Sequence, residues 1–311
     1  MKSVQANSEE GCAMGAWEAR EDPAAPRCAR SRRARFWATA AGALLAGVVL
    51  SLALVACSAK PGPTQELTVN EPLGGAAVTD VQLKMGAGKL NLQPGASGLV
   101  QGVIRYNIPS WKPTVDRTDA QLVIKQGGST GSGLLGSIVN NWTLQLGKAP
   151  MTLRIDAGAY EGNIDLSGLT LRSLAIKDGA SKTQVKFSTP NPGQMDSLTY
   201  NTGASTVTMT GLANANFQQM TFEGGAGSYV LDFSGNLRTA ATVTVKAGVG
   251  SVQILVPVGT ASQVNVSGAL TEVSAEGAWT TVEKSYSTNG SGKMLTINVN
   301  MSVGTLKLIS R

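Results

Sequence analysis

Beyond residue 70 the chain alternates apolar and polar positions. Val81/Leu83, Leu90/Leu92, Leu122/Ile124, Val243/Val245 and Val252/Ile254 each set two apolar residues two positions apart. That is the period of a strand with one buried face. No stretch carries the 3.6-residue period of an amphipathic helix. The pattern predicts an all-β body.

A longer period lies over the short one. An apolar residue, a second one two positions later and a Gly three further on recur at Leu153/Ile155/Gly158, Leu174/Ile176/Gly179, Leu198/Tyr200/Gly203, Met220/Phe222/Gly225 and Val243/Val245/Gly248. Successive glycines are 21, 24, 22 and 23 residues apart. Each Gly is followed by a second apolar pair: Ile164/Leu166, Val185/Phe187, Val207/Met209, Tyr229/Leu231 and Val252/Ile254. The triplet returns at Val81/Leu83/Gly86 and at Val299/Met301/Gly304. Repeats of this length point to one coil of a solenoid each, because a single coil cannot bury its apolar face without a neighbour. Gly marks a bend that needs positive φ or close backbone approach. An antiparallel sandwich also spaces strands this way, but its turns need no common Gly offset. The expected fold is a β-solenoid with less regular β caps at residues 71–150 and 271–311, around coils at 151–270.

Composition narrows the reading. Aromatic residues are 5% of the chain and glycines number 37, which suggests short strands and tight turns. The net charge of +6 is partly a property of the amino terminus. Seven Lys/Arg and five Asp/Glu precede Cys57, leaving nineteen basic and fifteen acidic residues after it. No dense Lys/Arg run remains there, which argues against nucleic acid as a partner. There is no histidine, so the commonest general base and metal ligand is missing. Cys12 and Cys28 precede Cys57 and no cysteine follows it; the body has no internal thiol pair.

The amino terminus has its own layout. Arg30, Arg32, Arg33 and Arg35 form a basic block, and an apolar run follows from Phe36 to Ala56. It ends in Leu54-Val55-Ala56-Cys57. A basic region, an apolar region and small residues before a cut are the parts of a signal peptide. With Cys57 at the cut, the segment resembles the lipobox of bacterial lipoproteins, which implies a diacylglycerol on the Cys57 thiol and loss of residues 1–56. An uncleaved membrane helix is the competing reading, since about 20 apolar residues span a bilayer. Either way, residues 58 onward are expected outside the cytoplasm. Ser31-Arg32-Arg33 hints at twin-arginine export, with Arg35 where an apolar residue belongs. Met14 is a second candidate start. Residues 57–70, with Pro61 and Pro63, suit a semi-rigid tether.

The body resembles the bacterial toast-rack proteins and the related "putative adhesin" domains. The likeness is carried by Val81-Gln82-Leu83-Lys84-Met85-Gly86-Ala87-Gly88-Lys89-Leu90-Asn91-Leu92, Asp178-Gly179-Ala180-Ser181, Thr202-Gly203-Ala204-Ser205 and Gly224-Gly225-Ala226-Gly227. It covers most of residues 75–260. It implies stacked β-coils resembling a right-handed parallel β-helix, an envelope location and no catalytic residues. The carboxyl-terminal region is also similar to a domain of membrane-linked proteins that respond to cell-wall-active antibiotics.

Few residues suggest chemistry. Asp156, Asp165, Asp178 and Asp232 fall near turns of successive repeats, where stacked acidic loops can hold calcium. With one acid per repeat, ordinary turn chemistry is the simpler account. Asp156, Asp178, Lys177 and Arg154 could form a glycan-cleaving cluster, but paired-carboxylate catalysis needs a cleft. Gly127–Gly133 is Gly-rich without the Lys of a phosphate loop. Tyr106, Trp111 and Trp142 are candidates for a partner surface, although core packing is their commoner role; Trp111, between Pro109 and Pro113, is the best placed for exposure. The Asn141 and Asn265 sequons carry no weight in a bacterial lipoprotein. No metal or cofactor is expected. The sequence points to a non-catalytic, lipid-anchored envelope protein with an adhesin-like or scaffold surface for envelope proteins or cell-wall polymer. An accessory module of envelope-stress sensing and a cell-wall glycan enzyme are the alternatives.

Overall fold

The structure, a computed structural model, describes residues 61–128, 137–269 and 272–311. They form one 16-stranded sheet. Seven strands are long: β2 (Thr79–Pro94), β7 (Met151–Asp165), β8 (Leu171–Lys186), β9 (Met195–Thr210), β10 (Phe217–Asp232), β11 (Ala241–Val256) and β16 (Leu295–Ser310). Each pairs with the next in parallel along nearly its whole length. The short strands are β1 (Gln65–Glu71), β3 (Val100–Tyr106), β4 (Thr114–Arg117), β5 (Gln121–Lys125), β6 (Asn140–Leu146), β12 (Ser262–Gly268), β13 (Glu272–Glu276), β14 (Thr280–Val282) and β15 (Ser285–Thr288).

The long strands are bent, which short-strand composition did not predict. In β8 the buried positions are Leu171, Leu174, Ile176 and Asp178, then Thr183 and Val185. Between them Gly179 and Ala180 are both exposed. Two consecutive outward residues reverse the phase of alternation. The same reversal occurs at Gly158-Ala159, Gly203-Ala204 and Gly225-Ala226. Each strand therefore has a first arm, a corner and a second arm, and the apolar residues of both arms join one core. The short strands extend the arms separately. β5 and β4 continue the first arm beyond β2, while β6, β3 and β1 continue the second. At the other end β12, β15 and β14 continue the first arm of β16, and β13 its second.

Close approach, not positive φ, explains the corner glycines. None of Gly158, Gly179, Gly203, Gly225 and Gly248 has positive φ. A Cβ on Gly248 would lie 2.5 Å from the Gly225 carbonyl oxygen, and one on Gly179 would lie 3.0 Å from that of Gly158. The triplet at Val81/Leu83/Gly86 joins the stack of long strands. Val81 and Leu83 pair with Leu153 and Ile155, and Ala87 with Ala159, so Gly86 is a full member of the corner column. The carboxyl-terminal copy differs. Val299 pairs with Val245 and Gly304 with Gly250, two positions out of the expected phase. Ser302 fills the corner slot there.

The connections between long strands close the core. They bury Phe187, Leu212 and Phe233, and asparagines satisfy their backbone. Asn191 Nδ2 donates to the Leu171 and Ala215 carbonyls at 2.8 and 3.2 Å, and Asn214 Nδ2 to that of Phe187 at 2.9 Å. At the amino-terminal end, where β2 has no full-length neighbour beyond it, the Gln126 side chain accepts from Gly86 N–H at 2.8 Å and from Asn140 Nδ2 at 2.8 Å. Asn140 Oδ1 in turn accepts from Trp142 Nε1 at 2.9 Å. Within the segment 57–70, β1 begins at Gln65 and pairs with β3.

Candidate binding surface

The corner creates a row of outward side chains two residues before the Gly column. Lys84, Asp156, Lys177, Asn201, Glu223, Lys246 and Asn300 are direct register partners on successive long strands. Their spacing is fixed by the sheet at about 4.8 Å per strand. Two open grooves of about 550 and 590 Å³ run along this row, and Lys177 and Asp178 line both. Glu223 and Lys246 are paired at 2.9 Å.

Behind the row lies a buried polar cluster. Asp178, one residue past Lys177, turns inward and is 7% exposed. Its carboxyl oxygens accept from Tyr200 Oη at 2.8 Å, Ser181 Oγ at 3.1 Å, Ser205 Oγ at 3.3 Å and Thr202 Oγ1. Buried acceptors need such partners. The Tyr160 and Tyr229 hydroxyls nearby are buried without a partner. Burial, with the Asp178 charge adding to it, pushes the Tyr160 phenol up to about 12. Burial likewise raises those of Tyr200 and Tyr229. The Tyr200 and Phe222 rings stack with centroids 5.5 Å apart, and Tyr229 meets Phe222 edge to face at 4.9 Å.

The acidic residues singled out by sequence are thus separated. Asp156 faces out and Asp178 faces in, so they do not make a facing carboxylate pair. Arg154 is in register with Ala175, two residues from the Lys177 row. Asp165 and Asp232 each accept from the backbone N–H two residues on, at 3.0 and 2.8 Å, which is Asx-turn chemistry. Among the described residues no three acidic or thiol side chains gather as a metal would require. Tyr106, Trp111 and Trp142 cannot form a partner surface in the folded body. They are 3%, 1% and 0% exposed. Trp111 ends the 3₁₀ turn Pro109–Trp111, which tucks it inside. Cys57 and most of Gly127–Gly133 lie outside the described residues. Sequence reasoning missed Gln126, Asn140, Asn191 and Asn214. Apart from Trp142 and Gly193, two residues from Asn140 and Asn191, their side-chain partners are 14 to 53 residues away, and only the fold brings them together.

The family model described as the N-terminal domain of toast_rack, DUF2154, matches residues 60–197 and 194–255. The chain belongs to the toast-rack family. The matched residues take in the toast-rack strands β1 to β10 and most of β11. No curated protein matches the chain. Among solved structures it is similar to a "putative cell adhesion protein" from Clostridium sporogenes, 19% identical with a TM-score of 0.45, over 80% of this chain and 100% of that one. A "putative adhesin" from Bacteroides fragilis is 13% identical with a TM-score of 0.29, over 80% and 99%. A "putative lipid binding protein" from Parabacteroides distasonis is 9% identical with a TM-score of 0.31, over 81% and 98%.

Proposed function

We propose that this protein is a non-catalytic, lipid-anchored envelope protein whose stacked strands form a right-handed β-solenoid. The solenoid presents an adhesin-like or scaffold surface to other envelope components. The observation that carries the reading is the in-register outer row from Lys84 to Asn300. A rigid ladder of polar side chains beside shallow grooves is suited to distributed contact with an extended partner. The buried Asp178 cluster supports it as well, because four hydroxyls occupy that carboxyl group and the tyrosines around it are core residues.

The anchor reading rests on Leu54-Val55-Ala56-Cys57, with the body held outside the membrane by a tether ending before Gln65. Expression of the wild type and Cys57→Ala tests it. The expected result is a diacylated amino terminus at Cys57 and detergent-phase partitioning, both lost in the variant. An intact amino terminus in both proteins overturns the anchor and leaves a single-pass membrane segment.

A further inference from the structure

We propose that the outward face of the first arms, from β8 across to β12, docks an uncharged, hydroxyl-rich polysaccharide chain. The face consists of two rows set by the register. Ser173, Ser197, Gln219, Thr242, Thr296 and Gln263 form the first. Ala175, Thr199, Thr221, Thr244, Asn298 and Asn265 form the second. None of these twelve positions is buried, and none carries a charge.

Charge surrounds this face on several sides. The same two rows carry Asp80 and Arg154 where they continue onto β2 and β7. The next row, at the corner, holds Lys177, Glu223 and Lys246. The second arms point Lys182, Lys186 and Lys307 outward. Within these two rows charge is absent across six adjacent strands, with exposed Arg172 and Asp196 beside the first row on β8 and β9.

The geometry suits a chain of hydroxyl groups. Neighbouring strands are about 4.8 Å apart, and successive outward residues on one strand about 6.7 Å. Hydroxyl and amide side chains each both donate and accept. Among the described residues, Ser197, Thr199, Gln219, Thr221, Thr242 and Thr244 spend none of this capacity on another side chain. Only at the β12 edge is there a rung, where Asn265 Nδ2 donates to Asn298 Oδ1 at 3.0 Å. The threonines are short and β-branched, so little rotamer freedom is lost when they are ordered. A charged partner would give up hydration here without a counter-charge, and an apolar one would strip the hydroxyls of water without replacing its bonds. A neutral polyhydroxylated polymer meets neither penalty. The inference rests on the contact reading above but not on the lipid anchor.

The test uses the full chain in detergent, titrated separately with the neutral sugars chitohexaose and cellohexaose. The expected result is saturable binding of at least one, unchanged when salt rises from about 0.05 to about 0.5 M. Thr242→Glu should weaken it at least about tenfold without changing the melting temperature, and Thr242→Ser should retain it. If Thr242→Glu proves unstable, exposed Gln219→Glu takes its place. Binding of neither sugar, or binding lost at high salt, overturns the proposal. Binding abolished by Lys177→Glu but not by Thr242→Glu moves the contact to the corner row; that outcome sinks this face while sparing the broader reading. A concentration-dependent dimer broken by Thr242→Glu gives the face to a second copy and also overturns the proposal.

Discussion

At the corner, a single methyl group tests the packing. Gly248→Ala puts a Cβ 2.5 Å from a neighbouring carbonyl oxygen, whereas Gly179→Ala has 3.0 Å. Overpacking of this kind costs about 1–3 kcal/mol. Gly248→Ala should therefore lower the denaturation midpoint more than Gly179→Ala does. Asp178→Ala should be worse than either, on the order of 3 kcal/mol, because it strands the hydroxyls of Ser181, Thr202, Tyr200 and Ser205. Tyr160→Phe should be nearly neutral at pH 7, since its hydroxyl has no partner to lose. Its effect should appear at alkaline pH. The folded state holds the Tyr160 proton up to about pH 12 and the unfolded chain releases it near pH 10. The wild type should thus lose stability as pH rises from about 10 towards 12, and Tyr160→Phe should lose less in urea titrations across that range. Asp80 acts at the other end. Burial works against its charged form, but hydrogen bonds from Gln121, Gln82 and Thr152 outweigh it and hold the carboxyl below the usual range. That stabilisation is present above the unfolded value and fades as pH falls through the folded one. Asp80→Asn should accordingly be destabilising at pH 7, with the difference from wild type shrinking as pH falls below the ordinary Asp range.

The unit of construction is a bent strand rather than a short one. Alternation fixed which residues face inward within each arm. The corner dipeptide decides that both arms face the same way. A one-residue insertion within an arm would send every later side chain of that arm to the wrong face. Insertion of Ala after Thr183 should prevent folding or lower the melting temperature sharply, whereas insertion after Ser188, an exposed residue in a connection, should be tolerated; thermal unfolding of the two variants decides this. The end strands differ from the long ones in having one partner. β4 pairs only with β5, and β14 only with β15. Amide hydrogen exchange should therefore be fastest in β4 and β14 and slowest in β9 and β10, which have long parallel neighbours on both sides.

Among the described residues the aromatic side chains lie mostly inside, while charge lies outside apart from the buried Asp178. Tyr106, Trp111 and Trp142 show why exposure was hard to read. Strand and turn signals say that a residue lies near a bend, but not whether the bend folds over the core. Trp111 is drawn in because Pro109 starts a 3₁₀ turn against the first arm, and Trp142 because β6 extends the second arm over the end of the core. The five ion pairs among the described residues are exposed rungs or near-rungs of the sheet. Solvent screens them, so they contribute little to stability. What they reveal is register, since most join residues directly opposite one another on paired strands.

The sequence by itself determined the all-β class, the period of the repeat, the inward residues of most arms and the toast-rack likeness. All of these are local: alternation and the recurrent Gly are written within about twenty-four residues. It also located the amino-terminal segment ending at Cys57 that the anchor proposal uses. The tertiary structure alone decided that Gly248 is small because another carbonyl stands against it, and that Asp178 turns into a ring of hydroxyls. It also decided that the carboxyl-terminal copy pairs two residues out of the expected phase and that β8 to β12 align two uncharged rows. Each of these depends on the residue opposite on another strand. Register is set by the packing of the whole stack, not by any one repeat.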